Sequence, residues 1–525
     1  MASPNDGENT ELVIGLVGPI GTNLKAVKKV LSEELRKTGY SVEEIKISED
    51  VIGQIIEVDK SWKDKAERYQ RLIKAGNEAR EKAENAGSFF DGAPDAVLAF
   101  GVADKIQQMR SRTAEGECSQ CSEVPEPNFK TAYIVNSLKR PEEAEWLRQI
   151  YPDGFILIGV FESEEDRKKN LCGVSEEDMP LGKADLLIAD DHNQANEKHG
   201  QRVVKTFHLA DFFLHLKRES ADRLRCDIKR LVALWFGQPH TTPTFDEYAM
   251  YMAFAASLRT ADLSRQVGAV VSKFNEILST GANECPKAGG GLYWPLRSGD
   301  CIEDEPSGRD FVRGEDSNKK AVSAIVNEIL MAIGDVVKSS KNQDYDLDKT
   351  LLRNRLEKST IGDFTELGRV VHAEMEAILA CARNNVSTRD ATLFCTTFPC
   401  HNCAKHIVAA GIKRVVYIEP YAKSRAFEFH TDSILSADPG QVRGQDEETV
   451  FFEPFVGVGP RRYLDLFSMK QGAGYSLVRK TKDGDTIDWD VSKSRLRLQM
   501  KPTSYLDSET EASGLFRSLT EEKQG

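Results

Sequence analysis

The chain has 525 residues, with 83 acidic against 70 basic side chains and a net charge of −13; a single core rarely grows to that length, so two or three domains are expected, and the acidic balance argues against a surface that coats nucleic acid, leaving room for a local basic cluster. Ten cysteines without the framework spacing of a small secreted domain point to a reducing compartment. The absence of an 18-residue apolar run, and an opening MASPNDGENT without a basic segment leading into an apolar one, give the expectation of a cytoplasmic protein with no membrane partner.

The apolar run LVIGLVG (12–18), followed by LKAVKKVLSEELRKTG with apolar positions at helical spacing, reads as strand, tight loop and helix. DAVLAFG (95–101), TAYIVNSL (131–138), GFILIGVF (154–161) and KADLLIAD (183–190) read as further buried strands between charged helical stretches, predicting a mostly parallel α/β sheet over residues 1–220. Residues 207–237 read as helical material, with 221–243 as a linker helix and loop. A second domain, 244–470, is expected to run helix (FDEYAMYMAFAASLRTA), strand (VGAVVSK), turn and strand (ILSTGAN). A long insertion, 285–368, follows, with a helix at KAVSAIVNEILMAIGDVV. RVVYIEP reads as a strand, EFHTDSILSA as a helix, and YSLVRKTKDGDTIDWDV as a hairpin turning at Asp483-Gly484. Residues 471–525 are expected to be an extension whose last 30 residues are polar and mobile.

VHAEMEAILA (371–380) and TTFPCHNCAKHI (396–407) carry the chemistry. A helix starting near His372 aims its imidazole and the Glu374 carboxylate at one end. A second helix presents Cys400 and Cys403 from its first turn, where the helix dipole favours thiolates. One histidine and two thiolates are three ligands for Zn2+, with the fourth position open to water, the mark of a catalytic rather than a structural site. Zinc makes that water a nucleophile near neutral pH, and Glu374 is suited to carry protons rather than to ligate. The rival reading makes His372 a helix cap and the cysteines a redox pair or half of a structural site. A Cys-x-x-Cys alone is weak, as Cys118 and Cys121 in ECSQC show; these read as an exposed loop.

With His-x-Glu followed 25 residues later by Pro-Cys-x-x-Cys, the chain resembles the cytidine and deoxycytidylate deaminase superfamily. It is most similar to bacterial anti-phage dCTP/dCMP deaminases, which join a P-loop kinase-like domain to a deoxycytidylate-deaminase-like one. LRTADLSRQVGAVV, GANECP, YAKSRAFEFHTDSI and FEPFVGVGPRRYLDLF share the likeness. The resemblance implies a C-terminal α/β/α domain, zinc on His372, Cys400 and Cys403, and Glu374 as the proton shuttle. It implies Asn283 at the sugar, with the Ala373 backbone and residues 396–398, Thr397 among them, fixing the pyrimidine. Arg259, Arg265 and Lys423 are candidates for the substrate phosphates, each with a rival reading as an ordinary ion-pair residue. Glu428, His430 and His406 are candidate supports of the site or plain packed residues. The reaction implied is hydrolysis of dCTP and dCMP to dUTP and dUMP with ammonia, depleting dCTP in defence. A housekeeping dCMP deaminase and a nucleotide- or RNA-sensing regulatory protein are the alternatives. A homo-oligomer, commonly a hexamer, and in some members a small inhibitory RNA are implied as partners. Cys285 and Cys301 raise the question of a second metal in the insertion.

GLVGPIGTNLK (15–25) follows a strand and opens a helix, as a phosphate-binding loop does. Aligned from Gly18, however, the pattern has Asn23 at the second glycine, Leu24 at the lysine and Lys25 at the hydroxyl position. Gly15, Gly18, Gly21, Thr22, Asn23 and Lys25 are the candidate contacts of a nucleotide, with or without Mg2+. An inert kinase-like scaffold is the rival reading. Arg140 and Arg167 are similar to guiding and lid elements of small nucleotide kinases.

Overall fold

The computed structural model describes residues 10–87, 93–114, 126–173, 179–192, 197–217, 221–339, 348–364, 367–421, 424–439, 448–500 and 502–521. The chain divides into two units, residues 1–247 with 456–525, and residues 248–455. Residues 456–470, expected at the end of the second domain, belong to the first unit, as does the expected extension.

In the first unit β1 (Leu12–Val17), β2 (Ser41–Lys46), β3 (Thr131–Asn136), β4 (Phe155–Glu162) and β5 (Phe212–Leu216) form a parallel sheet in the order β5-β4-β1-β3-β2. The unbroken apolar run of β1 is wholly buried, whereas SVEEIK in β2 buries only Ile45, so the charged strand takes the edge. A two-residue strand, Gly457–Val458, pairs antiparallel with β5 and closes the other edge. The helix Leu24–Lys37 buries Val27, Leu31 and Leu35, four residues apart, against the sheet, and Asn23 caps it by accepting from the Ala26 amide at 3.2 Å.

Two expected strands are helices. Residues 95 and 96 end a 3-10 turn, Pro94–Ala96, and 97–101 open the helix Val97–Ala114, whose first turns are buried on nearly every side, from Val97 to Ile106. A short apolar run buried all round does not separate strand from helix by periodicity. Residues 183–190 lie in the helix Leu181–His192, where Ala184, Leu187, Ile188 and Asp191 are buried at helical spacing. Within 207–237, residues 212–216 are β5, and the helix is Ala221–Trp235. Residues 502–521 are neither polar throughout nor loose: the helix Pro502–Glu521 buries Tyr505, Glu509, Ala512, Phe516 and Leu519. Arg110 binds the carboxylates of both Glu11 and Glu509 there, and Tyr151 and Tyr505 donate to the same two groups at 2.6 and 2.7 Å. The 475–491 segment makes one antiparallel bridge, Lys480 to Thr486, around Gly484 at φ +99°.

In the second unit β6 (Gly268–Lys273) and β7 (Glu276–Ala282) form a hairpin, and β8 (Thr392–Thr397), β9 (Arg414–Glu419), β10 (Ile434–Ser436) and β11 (Val450–Pro454) are mutually parallel. The sheet order is β10-β11-β9-β8-β6-β7, with β6 antiparallel to β8. Most of the expected helix at 428–437 is absent, since a short turn of helix, Ala426–Phe429, gives way to β10. Two glycines let helices approach this sheet closely. A Cβ on Gly268 would lie 1.8 Å from the Ala253 carbonyl oxygen, and one on Gly281 would lie 2.1 Å from that of Ala373. The insertion carries the expected helix as Ser317–Ser339, with Val322, Val326 and Leu330 packed against Leu352, Leu356 and Ile361. Among the described residues no helix is long and apolar enough to cross a membrane.

Candidate active site

Beyond β7 the chain pairs once more, Glu284 with Val371, which brings Asn283 alongside His372. His372 is the N-cap of the helix Ala373–Arg383, and Cys400 the N-cap of His401–Ala409. The loop between β8 and the second helix is seated by Phe398, whose ring meets Tyr417 edge-on at 4.9 Å and lies 5.4 Å from both Phe427 and Phe452. His372 Nδ1 lies 3.3 Å from the Sγ atoms of both Cys400 and Cys403, and the three ligand atoms lie within 4.8 Å of one another. Ligands with bonds of about 2.0 Å (N) and 2.3 Å (S) to one tetrahedral ion stand about 3.5 Å apart. Geometry and donor chemistry both fit zinc. Among the described residues this is the one such His/Cys/carboxylate group, so no second metal set emerges in the insertion. Cys285 is buried and donates to Asp310 Oδ1 at 3.4 Å, while Cys301 is exposed.

The Cys403 thiol, with the His372 ring beside it, holds Cys400 down to about 4, whereas its bond to Cys400 together with burial pushes Cys403 well above the usual thiol range. Burial pushes Glu374 up to about 7, opposed by His372 and reinforced by Cys400. A buried carboxyl there is poised to hold or release a proton near neutrality.

Glu374, His372 and Cys400 open onto a cavity of about 170 Å³, also lined by Asn283, Arg265, Thr397, Phe398 and Tyr421. Asn283 is committed to the protein: Oδ1 accepts from the Val267 amide at 2.7 Å, and Nδ2 donates to Arg265 O at 2.8 Å and Asp262 Oδ2 at 3.1 Å. It therefore holds the 262–267 loop around the cavity. Thr397 donates to Glu419 Oε2 at 3.2 Å, and Ala373 is buried in the first turn of its helix. The Arg265 guanidinium lies over Tyr421 at 4.9 Å. Arg259 does not line the cavity; it stacks on Trp294 at 3.6 Å and donates to Tyr293 O at 2.7 Å. Lys423 lies outside the described residues, as do Cys118 and Cys121. Glu428 is exposed and paired with Arg425, and His406 is exposed, while His430 is half-buried.

Sequence reasoning missed the far wall. Asp310, Asp316, Ser317 and Asn318 come to the cavity from the insertion. Asp310 accepts from Ser317 Oγ at 2.8 Å and from Arg369 at 3.1 Å. Asp316 caps the helix Ser317–Ser339 by accepting from the Lys319 amide at 2.9 Å, and nothing in the sequence tied this turn to His372.

A larger cavity, about 940 Å³, belongs to the first unit and is lined by Gly18, Gly21, Thr22, Asn23 and Lys25 among others. Gly15 does not reach it; it lies inside β1, where a Cβ would meet Leu138 at 2.8 Å and Phe155 at 3.0 Å. Two loop amides are taken by the protein's own carboxylates: Ile20 N donates to Asp191 at 2.6 Å and Asn23 N to Glu162 at 2.8 Å. Arg167 is buried and binds the Ile20 carbonyl at 3.2 Å, holding the loop rather than closing over it. Arg140 is fully buried, bonded to Asp95, Glu142 and, at 2.7 Å, Gly200 O. Neither arginine plays the guiding or lid part expected of it. Size does not make this larger cavity the reactive one; the metal donor set lies in the second unit.

Residues 243–419 match the family model described as the cytidine and deoxycytidylate deaminase zinc-binding region. The deoxycytidylate deaminase of Enterobacteria phage T2 is 49% identical over 55 residues, 10% of this chain and 29% of that protein. That of Mycobacterium phage D29 is 27% identical over 176 residues, 33% of this chain and 94% of that protein. The matches thus span less than a third of the T2 relative but nearly all of the D29 relative. The dCMP deaminase of cyanophage S-TIM5, solved with dCMP and dUMP, aligns over 41% of this chain and all of its own at 20% identity, with a TM-score of 0.22. The His372–Cys400–Cys403 cluster falls within the matched region, and residues 243–419 constitute a cytidine and deoxycytidylate deaminase family domain.

Proposed function

We propose that the protein is a zinc-dependent hydrolytic deaminase of deoxycytidine nucleotides, converting dCMP and dCTP to dUMP and dUTP with release of ammonia. The observation that carries this reading is the buried Glu374 beside the His372–Cys400–Cys403 cluster on one cavity. When bound, zinc supplies Lewis-acid activation of a water near neutral pH. Glu374 would take a proton from the attacking water as its oxygen bonds to C4 and pass that proton to the pyrimidine N3, then carry the remaining hydroxyl proton to the exocyclic amine as the C4–N4 bond breaks and ammonia leaves. Thr397 and the Ala373 backbone orient the base, Asn283 holds the loop against the sugar, and Arg265 meets the phosphate.

Depletion of dCTP in anti-phage defence is the biological role we assign, with a nucleotide in the first unit's cavity as regulator. Further expectations are assembly as a homo-oligomer, residence in the cytoplasm and control by a small RNA. The test is metal analysis together with ammonia release from dCMP, dCTP, CTP, cytidine and single-stranded DNA, comparing wild type with Glu374→Ala. Release from the deoxynucleotides that is lost in the variant, with zinc retained, supports the proposal. Bound zinc without turnover of any substrate, with and without added nucleotide and after removal of any co-purified RNA, refutes it.

A further inference from the structure

The loop after β1 lacks the lysine that a phosphate-binding loop carries, because Leu24 stands in its place. Another lysine reaches the same spot from the neighbouring strand. Lys139, three residues beyond β3, places its ammonium 3.2 Å from the Gly18 carbonyl oxygen and 2.7 Å from Asp191 Oδ1. The other oxygen of Asp191 accepts the Ile20 amide at 2.6 Å. Asp191 is 1% exposed and Lys139 20% exposed, so this pair sits inside the cavity wall rather than in bulk water.

We propose that Lys139 is the phosphoryl-binding cation of this cavity, and that Asp191 occupies in the free protein the seat a phosphoryl oxygen of a nucleoside triphosphate takes. A carboxylate and a phosphoryl group offer the same acceptors to an ammonium and a loop amide, and both bonds are charge-assisted. The wall suits the exchange. Eight basic and five acidic side chains line the cavity, a local excess of three positive charges in a chain that carries −13 overall. Lys25, Lys28 and Lys29 continue the basic edge along the helix Leu24–Lys37, where the remaining phosphates would lie. The enclosed Thr22 Oγ1, without a partner among the described residues, supplies a further donor at the loop. An ammonium has three donors, and two of those on Lys139 are accounted for by Gly18 and Asp191.

This inference rests on the reading that the first unit takes a nucleotide, and the experiment separates the two. Calorimetric titration of the full-length protein with ATP, and with inorganic pyrophosphate, would compare wild type, Lys139→Met, Lys139→Arg, Lys25→Met and Asp191→Asn. Losing one charge-assisted contact of about 1.4 kcal/mol weakens binding about tenfold in Lys139→Met. Lys139→Arg retains most of the affinity, Lys25→Met, which removes an outer phosphate contact, weakens it less than Lys139→Met does, and Asp191→Asn tightens it severalfold by removing the internal competitor. Wild type that binds neither ATP nor pyrophosphate overturns the nucleotide reading and this inference together. Binding that is unchanged in Lys139→Met overturns the lysine assignment alone. If Lys139→Met lowers the melting temperature, Asp191→Asn decides, and affinity that fails to rise there overturns the exchange.

Discussion

Gly281→Ala tests whether close approach of the helix Ala373–Arg383 to β7 positions the proposed chemistry. The added Cβ would stand 2.1 Å from the Ala373 carbonyl oxygen and 2.6 Å from the Ala377 amide nitrogen, both backbone atoms. Ordinary contact begins near 3.4 Å, so the helix must withdraw by about 1.3 Å. Overpacking of this kind costs about 1–3 kcal/mol. In a unit of this size that lowers the melting temperature by about 2–4 °C per kcal/mol. The same movement shifts Ala373 and Glu374 relative to Cys400 and Cys403, and a misplacement near 1 Å costs on the order of a hundredfold in rate. The assay pairs thermal denaturation with ammonia release from dCMP. Gly334→Ala is the control, since nothing lies within 4 Å of its Cβ and the change favours its helix by about 0.5–1 kcal/mol. A Gly281→Ala protein with wild-type melting temperature and rate would refute the argument.

Phe516 is fully buried, so Phe516→Ala is expected to cost about 3–5 kcal/mol in the first unit, measured by denaturant unfolding. Burial, reinforced by the neighbouring Asp310, pushes Cys285 up to about 11. Its thiolate fraction is about 10⁻³ at pH 8 and rises tenfold per pH unit toward that value. Peptide mapping after iodoacetamide at pH 8 should therefore show exposed Cys226 and Cys301 alkylated and Cys285 spared. Arg265→Ala removes the guanidinium that lines the second unit's cavity and is expected to raise KM for dCMP about tenfold. Its KM for cytidine, which has no phosphate, should change little, and an equal rise for both substrates would place Arg265 in loop structure rather than in phosphate recognition.

The local chemistry of the site was legible because it is written in short-range spacing. His372 and Glu374 start one helix, and Cys400 and Cys403 start another, so a pattern of a few residues fixes which atoms face each other. Long-range placement was not legible. Arg259 and Arg265 stand six residues apart with the same charge, yet one stacks on Trp294 and the other lines the cavity. Only the path of the insertion and the bonds of Asn283 decide between them. The misread strands failed for a different reason. DAVLAFG is almost wholly buried and carries no period to read, whereas KADLLIAD and the Asp191 that follows it carried a helical period at Ala184, Leu187, Ile188 and Asp191 that a short apolar run concealed. The closing helix had its own signal, with Tyr505, Ala512, Phe516 and Leu519 on one stripe amid polar neighbours.

Because residues 456–525 complete the first unit, the order of synthesis matters. A ribosome finishes Glu247 roughly 200 residues before it reaches Val456, an interval of about 10–40 s at about 5–20 residues per second. During that interval Arg110 awaits Glu509, and the surface around Gly101 awaits Phe516. The second unit, continuous from Tyr248 to Phe455, emerges whole before its predecessor is finished. A chain cut short after residue 455 would carry every ligand of the candidate metal centre on a polypeptide whose first unit never closes, exposing it to aggregation and proteolysis before it could accumulate.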